Sequence, residues 1–465
     1  MEQRAIRGME AMPPGQPAPP AQPELFADLY ELRMARAYHE LGMRDEAVFS
    51  LFVRRLPPAR NYLLACGVED LLDILGALRF GPESVDYLRS LGEFPEAFLA
   101  WLAGFRFSGA IRAVPEGTPV FAEEPLLEVV APIAEAQMIE TLAMNVIGVQ
   151  TLLASKAARV VAAAAGRPVV DFGSRRAQGM DAAVAGARAF HIAGVAATSN
   201  LLAGARYGIP VAGTMAHSFV QAFDSEAEAF RAFARLYPET ILLVDTYDTA
   251  EGVRRVVALA RELGDAFRIR GVRLDSGDLL AVSRETRAIL DAAGLQRVQV
   301  FASGGLDEAK ITGLLDAGAP IDAFGVGTEM SVSGDAPALD LAYKLTCYAG
   351  VGRTKLSAGK RILPGSKQVF RCTENGVAVG DTIARSDERL PGTPLLRPVM
   401  QAGGRRLLPR PSPAEARRLA EAARMALPAR LRALHPADPP YPVAISDALA
   451  AEEREVRARA ASMLP

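Results

Sequence analysis

The chain spends one of its four histidines, His217, in Gly213-Thr214-Met215-Ala216-His217-Ser218, directly after the apolar run 209–212. An imidazole at a strand end, flanked by small residues and the hydroxyls of Thr214 and Ser218, is free to act as a nucleophile or proton carrier instead of filling core. In Gly271-Val272-Arg273-Leu274-Asp275-Ser276-Gly277-Asp278, Arg273 and Asp275 are two apart and share one face of an extended chain. The bland reading is an internal salt bridge that orders the strand end. The functional reading gives Arg273 an anionic substrate group through its planar fork, and gives Asp275 a sugar hydroxyl or a metal-bound water. Arg175 and Arg176 follow Phe172 and Gly173; they are either a solvated surface pair or a clamp for an anionic aromatic ligand whose ring stacks on Phe172.

Two glycine turns, Ser303-Gly304-Gly305 and Gly325-Val326-Gly327-Thr328, close successive late apolar runs. Bare backbone N–H groups at such turns can hold a phosphate, and a pair on neighbouring late strands resembles the phosphate site of α/β barrels.

These residues need a scaffold that gathers strand ends. Between about residues 169 and 329, apolar runs at 168–172, 209–212, 241–244, 269–274, 298–302 and 321–326 alternate with amphipathic stretches, the spacing of βα units. Ser225 with Glu228 and Asp248 with Glu251 read as helix starts, Pro238 as a stop, and Gly264, Gly294 and Gly318 as C′ glycines. The expected class is α/β, with catalytic groups at the carboxyl ends of the strands. Periodicity leaves open whether the core closes as a barrel. On either side the pattern changes. Residues 106–132 read as a small antiparallel sheet and 134–147 and 149–165 as helices; Asn375-Gly376 reads as a hairpin turn and Ser412-Pro413-Ala414-Glu415 as a helix start. The expected division is a disordered proline-rich leader at 1–23, an N-terminal α+β domain at 24–150, the α/β barrel at 151–355, and C-terminal strands and helices at 356–465 packing back on the N-terminal domain.

Half of the 465 residues are hydrophobic and the formal net charge is −2, so small-molecule ligands are expected and neither nucleic acid nor membrane. Cys66, Cys347 and Cys372 show no metal-ligand spacing, the leader lacks the apolar block of a signal peptide, and no uncharged run approaches the roughly 20 residues of a membrane span. A cytoplasmic protein is expected.

Six segments in order resemble the nicotinate phosphoribosyltransferase family: Asp28-Leu29-Tyr30-Glu31-Leu32, 172–179, Thr198-Ser199-Asn200, 213–218, 273–278 and Leu363-Pro364-Gly365-Ser366-Lys367. Arg33 and Ala196-Ala197 depart from the family pattern locally. The resemblance implies the type II phosphoribosyltransferase fold, an irregular α/β barrel with an N-terminal β-rich sandwich-like domain completed by C-terminal strands, in a homodimer with shared active sites. It implies transfer of phosphoribose from phosphoribosyl pyrophosphate to nicotinate, with ATP as co-substrate and Mg²⁺ at the leaving group. His217 is then similar to the histidine phosphorylated by ATP, Phe172 to one face of the ring slot, and Tyr30 to the other face, given by a second subunit. Arg175, Arg176 and Arg273 would supply cations and the two glycine turns would take the 5′-phosphate. Asp275 would bind ribose, Asp278 ribose or a metal-bound water, and Lys367 and Arg55 further phosphate oxygens. The metal ligands stay unassigned. Ser199 and Asn200 stand where related nicotinamide enzymes carry an Asp, which favours the acid. The alternatives are a nicotinamide or quinolinate phosphoribosyltransferase, a phosphate-binding barrel lyase or aldolase, and a nucleotide-sensing module.

Overall fold

The computed structural model describes residues 22–357 and 361–462; of the expected leader, residues 1–21 lie outside this range. Two large hydrophobic cores organise the chain. The first lies against a seven-stranded antiparallel sheet in the order Val351–Gly352, Leu341–Tyr348, Glu46–Val53, Pro125–Pro132, Ala110–Ala113, Arg397–Gln401, Arg405–Arg406. Strands from far down the chain thus complete the N-terminal domain. Leu341–Tyr348, expected within the barrel segment, belongs to this sheet, paired along the length of Glu46–Val53. Helix Glu140–Ala163 crosses the expected boundary at residue 150 and packs on both halves. It is long and apolar enough to cross a membrane, but 72% of its most apolar window is buried inside the protein, which makes it a core helix.

The second core surrounds six parallel strands, β1 (Val169–Asp171), β2 (Ala197–Thr198), β3 (Ile241–Leu243), β4 (Gly271–Leu274), β5 (Gln299–Ala302) and β6 (Ala323–Val326). Their order is β2-β1-β6-β5-β4-β3, a curled half-barrel. The expected strand at 209–212 shrinks to one parallel bridge, between Val211 and Thr198. Among the described residues no backbone pairing joins that segment to β3. Strand β2 went unforeseen because it is only two residues long and the run Val195-Ala196-Ala197 before Thr198 is too short to stand out as a strand.

Local signals explain the connections. Asp248 caps helix Thr249–Leu263 by accepting from Glu251 N–H, and Ser412 and Glu415 form a complete capping box on Pro413–Met425. Ser225 occupies its N-cap position without the expected side-chain bond. Asn375 (φ 50°) and Gly376 (φ 79°) make the two-residue turn between Lys367–Glu374 and Val377–Arg385, the left-handed pair that matches strand twist.

Candidate active site

Arg273 on β4 is the hub of the carboxyl-end rim. Its Nε donates to Ser303 Oγ at 2.8 Å, Nη1 to Thr214 Oγ1 at 3.2 Å, and Nη2 to Asp275 Oδ1 at 2.6 Å. Its guanidinium carbon stands 5.2 Å from the centre of the Phe172 ring. Ser303 Oγ in turn donates to Asp275 Oδ1 at 2.5 Å. Burial works against the Asp275 charge, but the hydrogen bonds from Ser303 and Arg273 outweigh it and hold the carboxyl below the usual range.

His217 begins helix His217–Gln221. Its Nδ1 lies 3.2 Å from Thr246 Oγ1 and its Nε2 3.9 Å from Asp275 Oδ2, with 39% of the side chain still exposed. Thr214 and His217 follow the 209–212 segment, whereas Thr246 follows β3 and Arg273 sits on β4. Side chains of the site therefore span the seam that the backbone leaves unpaired. Asp245, also after β3, accepts from Asp275 N–H at 2.8 Å and from Ser276 Oγ at 2.7 Å, both through Oδ2. Its Oδ1 is buried and has no partner among the described residues.

Phe172 is set by its neighbours. Asp171, 1% exposed, accepts from Gly173 N–H at 2.8 Å through Oδ1 and from Thr198 Oγ1 at 2.7 Å through Oδ2, while its carbonyl takes Ser199 N–H. Burial pushes this carboxyl up, opposed by those two hydrogen bonds. The turn after β1 is thereby tied to the turn after β2. A Cβ at Gly173 would stand 1.6 Å from Ser331 Oγ, so this turn also lies flat on helix Thr328–Val332.

The first glycine turn has Gly304 at φ 95° and Gly305 at φ 61°, and a Cβ on Gly304 would meet Asp275 O at 2.0 Å. Only glycine allows that approach. The backbone N–H groups of Gly304, Gly305 and Gly327 take no hydrogen bond among the described residues, which leaves donors available to an anion. An arginine, a histidine, a ring face and the open backbone N–H groups of Gly304, Gly305 and Gly327 thus lie along one rim.

A family model described as the nicotinate phosphoribosyltransferase N-terminal domain matches residues 25–148, and the family's main model matches residues 168–384. The chain belongs to the nicotinate phosphoribosyltransferase family. It is 57% identical over 433 residues to nicotinate phosphoribosyltransferase pncB2 of Mycobacterium tuberculosis, covering 93% of this chain and 94% of that one. With nicotinate phosphoribosyltransferase of Bacillus subtilis it shares 41% identity over 79% of this chain and 77% of the other. The crystal structure of human nicotinic acid phosphoribosyltransferase superposes with a TM-score of 0.84 at 30% identity, over 93% of this chain and all of the human one. The type II phosphoribosyltransferase architecture follows.

The other expected site residues of this nicotinate phosphoribosyltransferase family member are placed as follows. Arg175 and Arg176 are exposed in the short turn Ser174–Arg176, and Ser199 and Ser218 are exposed nearby. Asn200 caps Leu201–Tyr207 by accepting from Ala203 N–H, and Asp278 caps Leu279–Ala292 by accepting from Leu280 and Ala281 N–H. Both side chains thus orient helices that lead away from the rim. Tyr30 lies on helix Leu29–Glu40 of the N-terminal domain, 45% exposed, its phenol pushed up by burial and by Glu140.

Three expectations need correcting. Gly325 lies inside β6, where a Cβ would come 2.7 Å from Phe172 Cδ2 and 2.8 Å from Phe301 Cε1; it makes room for the aromatic slot and is no part of a phosphate turn. Lys367 is 3% exposed, its ammonium donating to Gly365 O at 2.7 Å and lying 3.2 Å from Glu128 Oε1, an internal pair that ties strand Lys367–Glu374 to Pro125–Pro132. Arg55 bonds Asp340 at 3.0 Å in a separate cavity of about 1000 Å³ shared with Arg54, Arg361 and Arg457; within one chain it does not join the rim. Asp171, Thr198, Asp245 and Thr246 received no role from the sequence. Asp245 and Thr246 were legible as polar residues after a strand, but nothing local distinguishes a carboxylate that holds a neighbouring strand end from one that caps a helix.

Proposed function

We propose that the protein transfers phosphoribose from phosphoribosyl pyrophosphate to the ring nitrogen of nicotinate, forming nicotinate mononucleotide and pyrophosphate in NAD biosynthesis. The single observation carrying this is the Arg273 hub, which hydrogen-bonds Asp275 and Ser303, the residue that opens the first glycine turn, and stands 5.2 Å from the centre of the Phe172 ring. In the reaction the C1–O bond to pyrophosphate breaks as the pyridine nitrogen bonds C1, so positive charge gathers on the ribose and negative charge on pyrophosphate. Phe172 holds the ring in place, Arg273 with Arg175 and Arg176 attracts its carboxylate and the departing phosphates, Asp275 holds ribose hydroxyls near the growing positive charge, and Gly304, Gly305 and Gly327 offer N–H groups to the 5′-phosphate.

Mg²⁺ fits the rim. It typically binds through one or two carboxylates together with substrate phosphates and water, and the unpartnered Oδ1 of Asp245 beside Asp275 offers that kind of donor set. Asp245 and Asp275 would hold it, and the ion would neutralise charge on the leaving group. Among the described residues no group of three or more His, Cys, Asp or Glu side chains could hold a metal ion by itself, so substrate phosphate oxygens and water would complete its shell.

ATP is the co-substrate in this reading, and His217 accepts its γ-phosphoryl group. With Nδ1–H donating to Thr246, Nε2 keeps the lone pair that attacks phosphorus as the bond to ADP breaks. The phosphohistidine adds negative charge beside Asp275 and Arg273, changes the balance of the pyrophosphate subsite, and is hydrolysed after turnover. The enzyme acts as a homodimer with shared sites, supported by exposed Phe26, Leu29 and Tyr30 on one domain and exposed Met180, Leu201, Leu202 and Val211 near the rim. Free Cys66, Cys347 and Cys372 suit a cytoplasmic location.

Pyrophosphate release from phosphoribosyl pyrophosphate, measured with nicotinate, nicotinamide and quinolinate with and without ATP, tests the reading. Nicotinate is expected to give by far the highest kcat/KM, with stimulation by ATP. Comparable rates with nicotinamide would overturn the acid assignment. Absence of acid-labile phosphate, or ATP stimulation that survives in His217→Asn, would overturn the phosphohistidine.

A further inference from the structure

Behind the two glycine turns lies an ionic cluster, its Lys156 and Arg60 cations buried and its Asp335 carboxylate reaching solvent, that the reaction above leaves unused. Glu308 opens helix Glu308–Asp316, three positions past Gly305, and Asp335 follows the short helix that starts after Gly327. One ammonium joins them: Lys156 Nζ lies 2.6 Å from Glu308 Oε2 and 2.8 Å from Asp335 Oδ1. Lys156 comes from helix Glu140–Ala163, which packs against both of the helices that leave the turns. Arg159, one helical turn on, donates through Nε to Glu308 Oε1 at 2.8 Å. Arg60, from the N-terminal domain, places Nη2 3.0 Å from Asp335 Oδ2 and 3.1 Å from Ser333 Oγ.

The charges do not balance. Three cations face two carboxylates, although Lys156 is 2% exposed and Arg60 4%. Arg60 Nη1 lies 3.8 Å from Glu308 Oε1, and neither it nor Nε has a hydrogen-bond partner among the described residues; burial pushes this guanidinium down, opposed by Asp335 and Glu308. A surplus buried positive charge is costly even where each cation touches a carboxylate, and it lowers stability. A cluster serving only to join domains would be satisfied by Lys156 and Arg159. The surplus positive charge becomes compensated when an anion occupies the adjoining turns, because charges in a poorly screened interior act over several ångströms.

We propose that Lys156 and Arg60 are positioning residues for phosphate binding: Lys156 fixes the spacing of the two glycine turns by bridging Glu308 and Asp335, and Arg60 supplies the surplus charge that a bound 5′-phosphate offsets. The inference rests on the assignment of those turns to the 5′-phosphate. Neither side chain touches substrate, so the effect appears in affinity for the phosphate alone.

The test compares binding of nicotinate mononucleotide with that of nicotinate riboside, which lacks the 5′-phosphate, by calorimetry on the full-length enzyme and on Arg60→Met, Lys156→Met and Lys156→Arg. Arg60→Met leaves two cations on two carboxylates and is expected to fold, so it keeps the test open if Lys156→Met does not. Expected are about 3- to 30-fold weaker nucleotide binding in Arg60→Met and Lys156→Met, unchanged riboside binding in both, and recovery in Lys156→Arg. Equal losses for both ligands, or no loss for either, would overturn the positioning role while leaving the phosphate turns in place. Wild-type enzyme that binds riboside as tightly as nucleotide would instead overturn the phosphate assignment, and the inference with it.

Discussion

Gly325 and Phe172 are in direct contact: a Cβ on Gly325 would stand 2.7 Å from both Cδ2 and Cε2 of the ring. Two backbone carbonyls flank that contact, because Phe172 N–H donates to Val326 O and Phe324 N–H to Pro168 O, so the strand cannot back away. A methyl group at 325 must turn the ring. Overpacking of this kind costs about 1 to 3 kcal/mol. Gly325→Ala is expected to raise KM for nicotinate by about 5- to 150-fold with little change in KM for phosphoribosyl pyrophosphate. Unchanged nicotinate KM in steady-state assays would place the ring slot away from Phe172.

Asp275 accepts from both Arg273 and Ser303. Asp275→Asn keeps the shape but loses the charge, and a hydrogen bond to a charged partner contributes about 1.5 to 3 kcal/mol. A fall in kcat/KM of about 10- to 150-fold is expected, with the fold intact by circular dichroism. Because the folded carboxyl is held below the ordinary Asp value, its stabilising contribution is fully present above that value and is lost only as pH falls through the lower folded one. An NMR titration should therefore place the Asp275 midpoint below the ordinary Asp value. A carboxyl that titrates above the ordinary value of about 3.9 would contradict the hub geometry.

His191, 7% exposed on the helix after β1, is pushed down to about 4 by burial and by Arg417 beside it. Its unfolded imidazole titrates near 6.5, so between those values the unfolded chain binds the extra proton. Stability from this group is complete above about pH 6.5 and is lost as pH falls toward 4, with a slope of at most about 1.4 kcal/mol per pH unit. Denaturant unfolding at a series of pH values should show His191→Leu with a flatter profile across that window. Identical slopes would mean that the imidazole is protonated in the folded protein.

Tyr30 and His217 belong to different domains, and the proposed shared site requires them to come from different subunits. Tyr30→Ala and His217→Asn should each be nearly inactive alone. Unfolded, mixed in equal amounts and refolded, they should recover roughly a quarter of wild-type activity, because half of the dimers pair unlike chains and each such dimer has one intact site. No recovery in the mixture would place both residues in one subunit's site or in none.

The sequence was sufficient wherever a signal was local. Runs such as 269–274 and 298–302 alternating with amphipathic stretches set the parallel sheet, because a period change needs only neighbouring residues to be read. Gly304 and Gly305, Arg273 two residues before Asp275, and His217 among small residues announced a polar strand-end site for the same reason, and Asp248, Ser412 and Asn375-Gly376 announced their own caps and turn.

Tertiary structure decided what depends on partners distant in the chain. Lys367 and Arg273 are alike in sequence as lone cations after an apolar or glycine-containing stretch, yet one is neutralised by Glu128 and the other faces Phe172. Gly325 looked like a turn glycine until the ring it accommodates, 153 positions earlier, came to lie against it. Residues 209–212 have the composition of a strand, but with only Thr198 to pair they form one bridge and leave a seam for side chains. Burial, pairing and charge compensation depend on the nearest atoms in space, and only folding determines which atoms those are.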